Sequence, residues 1–202
     1  MWFIGDVHSR KDDYFKLIEK LNMDCSVQLG DLGLGFPNCK WPKQWDFNHR
    51  FLRGNHDGPN ACREHPNYLG DFGYLPMQDM YYISGAWSID YKTRIMGVSI
   101  WPDEELSYEE FDKIIKEVPE VKPRVIVSHD CPDCIRGELF GFDRFYPTKT
   151  GKALDAIFEL YQPTWWIFGH YHRGKQAKIK NTHFVCLQEL ECCEIPDIKW
   201  EY

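Results

Sequence analysis

Five short apolar runs punctuate the chain: Trp2-Phe3-Ile4, Val27-Gln28-Leu29, Phe51-Leu52-Arg53, Val125-Ile126-Val127 and Trp165-Trp166-Ile167-Phe168. Each ends in a small polar cluster. The clusters are Gly5-Asp6-Val7-His8, Gly30-Asp31-Leu32-Gly33, Gly54-Asn55-His56-Asp57, Ser128-His129-Asp130 and Gly169-His170-Tyr171-His172. Runs of this length and composition read as buried strands. Each cluster then leaves the carboxyl end of a strand, where α/β sheets gather their sites. Taken singly, such clusters are turns, strand exits or hydrogen-bonded core histidines. Together and in this order they bring Asp, His, Asp, Asn, His, His and His to one sheet edge, and independent turns supply no reason for that.

The segments between the runs have helical periodicity. Ser9 is placed to cap a helix carrying Tyr14, Leu17, Ile18 and Leu21 on one face. Ser107 and Glu110 have capping-box spacing ahead of Phe111, Ile114, Ile115 and Val118. A third helix is predicted from about Thr150, with Leu154, Ile157, Phe158 and Tyr161 apolar and Pro163 as its stop. From Met80 to Ile100 short β-rich pieces separated by turn residues predict antiparallel hairpins. Gly35–Pro42 and Gly58–Gly73 read as long loops on the polar-cluster side. The expected architecture is a four-layer α/β/β/α sandwich in a single domain spanning 1–202, rather than one doubly wound sheet.

At 202 residues, 43% hydrophobic and 16% aromatic, the chain fills one core and leaves no room for a separate cap domain. A net charge of −7 argues against an extended surface for duplex nucleic acid, which requires clustered Lys and Arg. No basic leader, signal-length apolar stretch or membrane-length run is present, so a soluble, cytoplasmic protein is expected. The eight cysteines read as free thiols in that setting, although Cys131 and Cys134 with Cys192 and Cys193 could also form a zinc site.

On these five motifs the chain closely resembles the calcineurin-like metallophosphoesterase superfamily, over nearly its whole length. The resemblance implies that Asp6, His8 and His172 hold one divalent ion, that Asn55, His129 and His170 hold a second, and that Asp31 bridges them. Two such ions, about 3.5–4 Å apart, need negative charge between them; together they acidify water and clamp phosphoryl oxygens during in-line attack. Imidazole and carboxylate ligands suit Mn²⁺, Fe²⁺, Zn²⁺ or Ni²⁺, with manganese the first choice. The same resemblance makes His56 the proton donor to the leaving oxygen, with Asp57 orienting it. Arg53 is either a phosphate-gripping fork or a strand-end surface arginine.

Ser9 and Asp57 stand where protein phosphatase branches usually carry Gly and Glu, and the overall look is that of small stand-alone bacterial and phage phosphoesterases. The implied activity is hydrolysis of phosphomonoesters or small phosphodiesters, nucleotides and cyclic nucleotides included. A protein Ser/Thr phosphatase and a non-catalytic metal-binding scaffold are the alternatives. Trp101-Pro-Asp-Glu-Glu105 is either core or an aromatic and acidic wall to the site. Arg136, Arg144, Lys149, Lys152 and Arg173 form either a basic approach or a solvated face.

Overall fold

The computed structural model describes residues 1–141 and 147–200. Two sheets are stacked. The smaller contains β1 (Trp2–Ile4), β2 (Ser26–Gln28) and β3 (His49–Phe51), with the late strand β10 (Cys192–Glu194), in the order β10-β1-β2-β3. β1, β2 and β3 run parallel and β10 antiparallel. The larger contains β4 (Phe72–Leu75), β5 (Met80–Ile83), β6 (Val125–Ser128), β7 (Trp165–Phe168), β8 (Lys175–Ile179) and β9 (Thr182–Cys186), in the order β4-β5-β6-β7-β9-β8. Its four central strands are parallel and β4 and β8 close the edges antiparallel.

Period-two alternation in the strands produces the layers. Phe3, Val27, Leu29 and Leu52 of the smaller sheet meet Met80, Val125, Val127 and Ile167 of the larger in one buried cluster, which is the core between the sheets. The alternate residues Tyr81, Ile126, Trp166 and Phe184 face helices α3 (Tyr108–Val121) and α5 (Lys149–Leu160) through Phe111, Ile114, Leu154 and Ile157. On the opposite side Ile4, Phe51 and Leu32 pack against Tyr14 of α1 (Lys11–Lys20) and Cys62 of α2 (Pro59–Arg63). The expected four-layer sandwich is present. A shorter helix, α4 (Asp133–Phe140), follows β6.

Local readings fared unevenly. Ser107 and Glu110 form the reciprocal capping box, with Glu110 N–H donating to Ser107 Oγ at 3.2 Å and Ser107 N–H to Glu110 Oε2 at 2.7 Å. α5 begins at Lys149, capped by Thr148 Oγ1, which accepts from Gly151 N–H at 2.8 Å. Ser9 caps nothing: it has φ +65°, and α1 starts two residues later, at Lys11. The backbone at His8 and Ser9 turns to present His8, and Ser9 N–H is used on Leu32 O.

The hairpin expectation also fails over most of its length. β5 does pair antiparallel, but with β4, which begins inside the stretch read as a loop. β5 is bonded to β6 on its other edge, so residues 85–100 have no edge left to join and form an irregular loop with an isolated bridge between Met96 and Ile100.

Candidate metal centre

The carboxyl ends of β1, β2, β3, β6 and β7 open on the same side, and the residues after them converge. Asp6, His8, Asp31 and His172 offer ligand atoms that all lie within 4.8 Å of one another, and so do Asp31, His129 and His170. Asp31 belongs to both groups. Its Oδ2 lies 3.8 Å from His8 Nε2 and its Oδ1 3.4 Å from His129 Nε2, so the two oxygens face different groups. Asn55 Oδ1 lies 3.2 Å from His129 Nε2, which adds it to the second group. The structure thus brings together all seven residues read from the sequence as ligands.

Neighbouring atoms fix how these side chains point. His129 Nδ1 donates to Leu29 O at 2.7 Å, which directs Nε2 inward. The Asn55 amide donates through Nδ2 to Ser88 Oγ at 3.2 Å, and Ser88 in turn donates to the buried Glu104 Oε2 at 2.5 Å. That chain leaves Asn55 Oδ1 facing the histidines.

The backbone is unusual here. His8, Asp31, His170 and His172 have φ of 47°, 60°, 70° and 51°, a left-handed region that residues other than glycine seldom adopt. Two glycines serve close approach. A Cβ on Gly54 would collide with the Asp31 carboxylate and the His129 ring, and one on Gly169 with Asp6 Oδ1.

Asp57 explains how the strained turn after β2 is held. Its buried carboxylate accepts from the N–H groups of Asp31 (2.8 Å), Leu32 (3.3 Å), Gly33 (2.8 Å), Leu34 (3.0 Å) and Gly54 (2.9 Å). Successive amides in such a turn make a nest for an anion, and Asp57 fills it. This corrects the expectation that Asp57 orients His56. Both oxygens are engaged by the backbone.

Arg94 holds His56 instead. Its guanidinium donates to His56 Nε2, and also to Asn55 O at 3.1 Å, Ser88 Oγ at 3.0 Å and Ser99 O at 3.3 Å, while Asp90 pairs with it at 2.7 Å. Because a guanidinium only donates, His56 Nε2 is here an acceptor. Burial, with Arg94 nearby, lowers the His56 pKa to about 4 despite the opposing charge of Asp31. Arg94 escaped the sequence reading because it lies in the segment assigned to hairpins, where no motif marks it.

Arg53 is neither of the things expected of it. It is fully buried, donating through Nε to Asp71 Oδ1 at 2.7 Å and through Nη1 to Glu104 O at 2.7 Å. A buried guanidinium needs such acceptors, and satisfying them turns it away from the cleft. It ties β3 to the loops that carry Asp71 and Glu104.

The donor set fits divalent metal. Asp6 Oδ2 is buried without a well-formed hydrogen bond, 3.0 Å from His172 Nε2, while His8 and His172 set their Nε2 atoms 2.8 Å apart. Burial pushes the Asp6 pKa up, but His172 and His8 outweigh it and hold the group at about 2. Asp31 is likewise held below the usual carboxylate range by His129 against the effect of burial. Burial opposes protonation of His129, yet Asp31 and Asp6 raise it to about 10. Two buried anions therefore recruit positive charge to this point.

A cleft of ≈ 340 Å³ opens over the cluster, with Asp31, Asn55, His56, His170 and His172 in its floor and Trp87, Ile89 and Arg94 in its wall. Arg136 and Arg173 also line it, whereas Lys149 and Lys152 line a separate hollow beside Tyr108, and Arg144 lies outside the described residues. The Trp101–Glu105 wall does not line the cleft. Trp101 packs edge-on against Phe36, Glu104 holds Ser88, and Glu105 accepts from Thr150 at the start of α5. Cys131 and Cys134 flank the start of α4 while Cys192 and Cys193 lie on β10 in the other sheet, and all four are free thiols.

A sequence profile of the calcineurin-like phosphoesterases matches residues 1–174. The chain belongs to this family. As a calcineurin-like phosphoesterase it is a hydrolase of phosphoester bonds, with Asp and His groups able to bind metal. No curated protein matches it. Among solved structures, the phosphopantetheinyl hydrolase of Mycobacterium tuberculosis is similar at 14% identity and TM-score 0.45, covering 93% of this chain and 89% of that one. GAP50, the anchor in the inner membrane complex of Plasmodium, is similar at 8% identity and TM-score 0.48, covering 93% and 71%. A predicted phosphoesterase of Streptococcus pneumoniae is similar at 12% identity and TM-score 0.37, covering 93% and 72%.

Proposed function

We propose that this calcineurin-like phosphoesterase is a two-metal phosphohydrolase of small phosphoesters, either monoesters or accessible diesters such as nucleotides and cyclic nucleotides. The observation that carries this reading is the placement of Asp31, whose two oxygens face two separate histidine-bearing groups. Asp6, His8 and His172 would hold one ion and Asn55, His129 and His170 the other. Manganese is the first metal to supply, because the ligands are oxygen and imidazole with no thiolate. When bound, such a pair supplies Lewis acidity to phosphoryl oxygens and acidifies water.

The chain's own residues do the rest. Asp57 holds the strained turn that aims Asp31, and Ser88 with Glu104 sets which end of Asn55 faces inward. Arg94 fixes His56 at the cleft and contributes positive charge to an anionic substrate. We assign His56, which lines the cleft, to the leaving oxygen; for it to donate a proton, Arg94 must first release its Nε2.

The chain carries −7 overall, which supports small substrates over extended duplex nucleic acid. No helix among the described residues is long and apolar enough to cross a membrane. Turnover of p-nitrophenyl phosphate, bis-p-nitrophenyl phosphate, cyclic nucleotides and a phosphopeptide, each with Mn²⁺ supplied, tests the reading. Activity on the small esters is the expected result. Activity confined to the phosphopeptide, or faster cleavage of linear duplex DNA than of any small diester, would overturn it.

A further inference from the structure

The loop of residues 85–100 forms one wall of the cleft and is apolar in an uncommon way. Ile89 and Ile95 are each 66% exposed and Met96 63%, with Tyr91 and Val98 also open to solvent. Together they are five of the ten large exposed hydrophobic side chains among the described residues, within a stretch of ten. Soluble proteins keep such clusters for binding. Nor is this a slack segment: Arg94 ties it to Asn55 O and braces it internally through Ser88 Oγ and Ser99 O, and Trp87 packs against Tyr91 with ring centroids 5.6 Å apart. The apolar side chains are therefore held outward by a polar anchor beneath them.

Trp87 and Ile89 line the same cleft as Asp31, Asn55, His170 and His172. The cleft thus sets an apolar surface beside the residues that would seat a phosphorus atom. We infer that the substrate is a phosphoester bearing a sizeable apolar group, which lies on Trp87 and Ile89. This rests on the phosphohydrolase reading above and adds the chemistry of the ester group. Contact with apolar side chains favours such a group over a hydroxylated one, because each methylene removed from water adds to binding.

The test uses Mn²⁺-loaded protein and non-hydrolysable methyl-, butyl- and hexylphosphonate, with binding read by calorimetry. A fully buried methylene corresponds to about a fourfold gain in affinity, so the series should tighten by at least about tenfold from methyl to hexyl. Ile89→Ser should flatten that slope, and the exposure of Ile89 makes loss of folding an unsuitable explanation for it. Equal affinity along the series, or a slope unchanged in Ile89→Ser, overturns the inference while leaving the phosphoester reading intact. Failure of every member to bind overturns that reading as well. Sedimentation velocity examines the competing occupant: a wild-type dimer that Met96→Ser returns to monomer would assign the loop to a second copy of the chain, against the inference.

Discussion

His56 sits where two roles meet. A proton donor must carry its proton on the atom that faces the leaving oxygen, whereas His56 Nε2 accepts from Arg94 and burial holds the imidazole neutral. His56→Asn should keep its metal in either case. If His56 protonates the leaving group, activity on an alkyl phosphate falls by about 10²–10⁴-fold and falls far less on p-nitrophenyl phosphate, whose leaving group departs unaided. Equal losses on both would make it a residue that, with Arg94, positions phosphate. His129 yields a second prediction. Against burial, Asp31 and Asp6 raise its pKa to about 10, so without metal it is protonated throughout the neutral range. Metal takes the neutral imidazole and must expel that proton, so Mn²⁺ affinity should rise with pH below about 10, by up to about tenfold per unit. Calorimetric titrations from about pH 6 to 9 should show this with proton release, and a flat profile would show that His129 is already neutral.

The strand-loop units carry the site, and the turn after β2 is the most demanding of them. Asp57→Ala would leave five buried N–H donors without an acceptor, each at a cost of about 1–3 kcal/mol when unsatisfied. We expect a loss of at least about 3 kcal/mol in denaturant unfolding, with Asp57→Asn intermediate because it keeps one acceptor. A change below about 1 kcal/mol would mean that the nest tolerates solvent. The same turn shows what the sequence could and could not reveal. Strand runs, ligand types and the Ser107 capping box are local, so the five strands that lead into the site, the seven converging residues and α3 were legible. Asp57 reaches a turn more than twenty residues away, Arg53 finds Asp71 and Glu104, and Arg94 reaches back to Asn55 and His56. These partnerships are set by tertiary packing, and no period or motif announces them. The hairpins expected after Ile83 failed for a related reason, since both edges of β5 were already paired.

Across the described residues, two sheets, the smaller completed by the late strand β10, press one core between them and bring five strand ends to a common opening. That arrangement makes the site a product of the fold, because β1, β2 and β3 of one sheet and β6 and β7 of the other each contribute. The central claim is that the opening holds two ions bridged by Asp31. Elemental analysis of protein reconstituted with saturating Mn²⁺ and freed of excess metal tests it most directly. The account predicts two ions per chain in the wild type, with Asp31→Asn weakening both sites together as the bridge loses its charge. One ion per chain in the wild type, or an Asp31→Asn variant that keeps either site at full affinity, would contradict it.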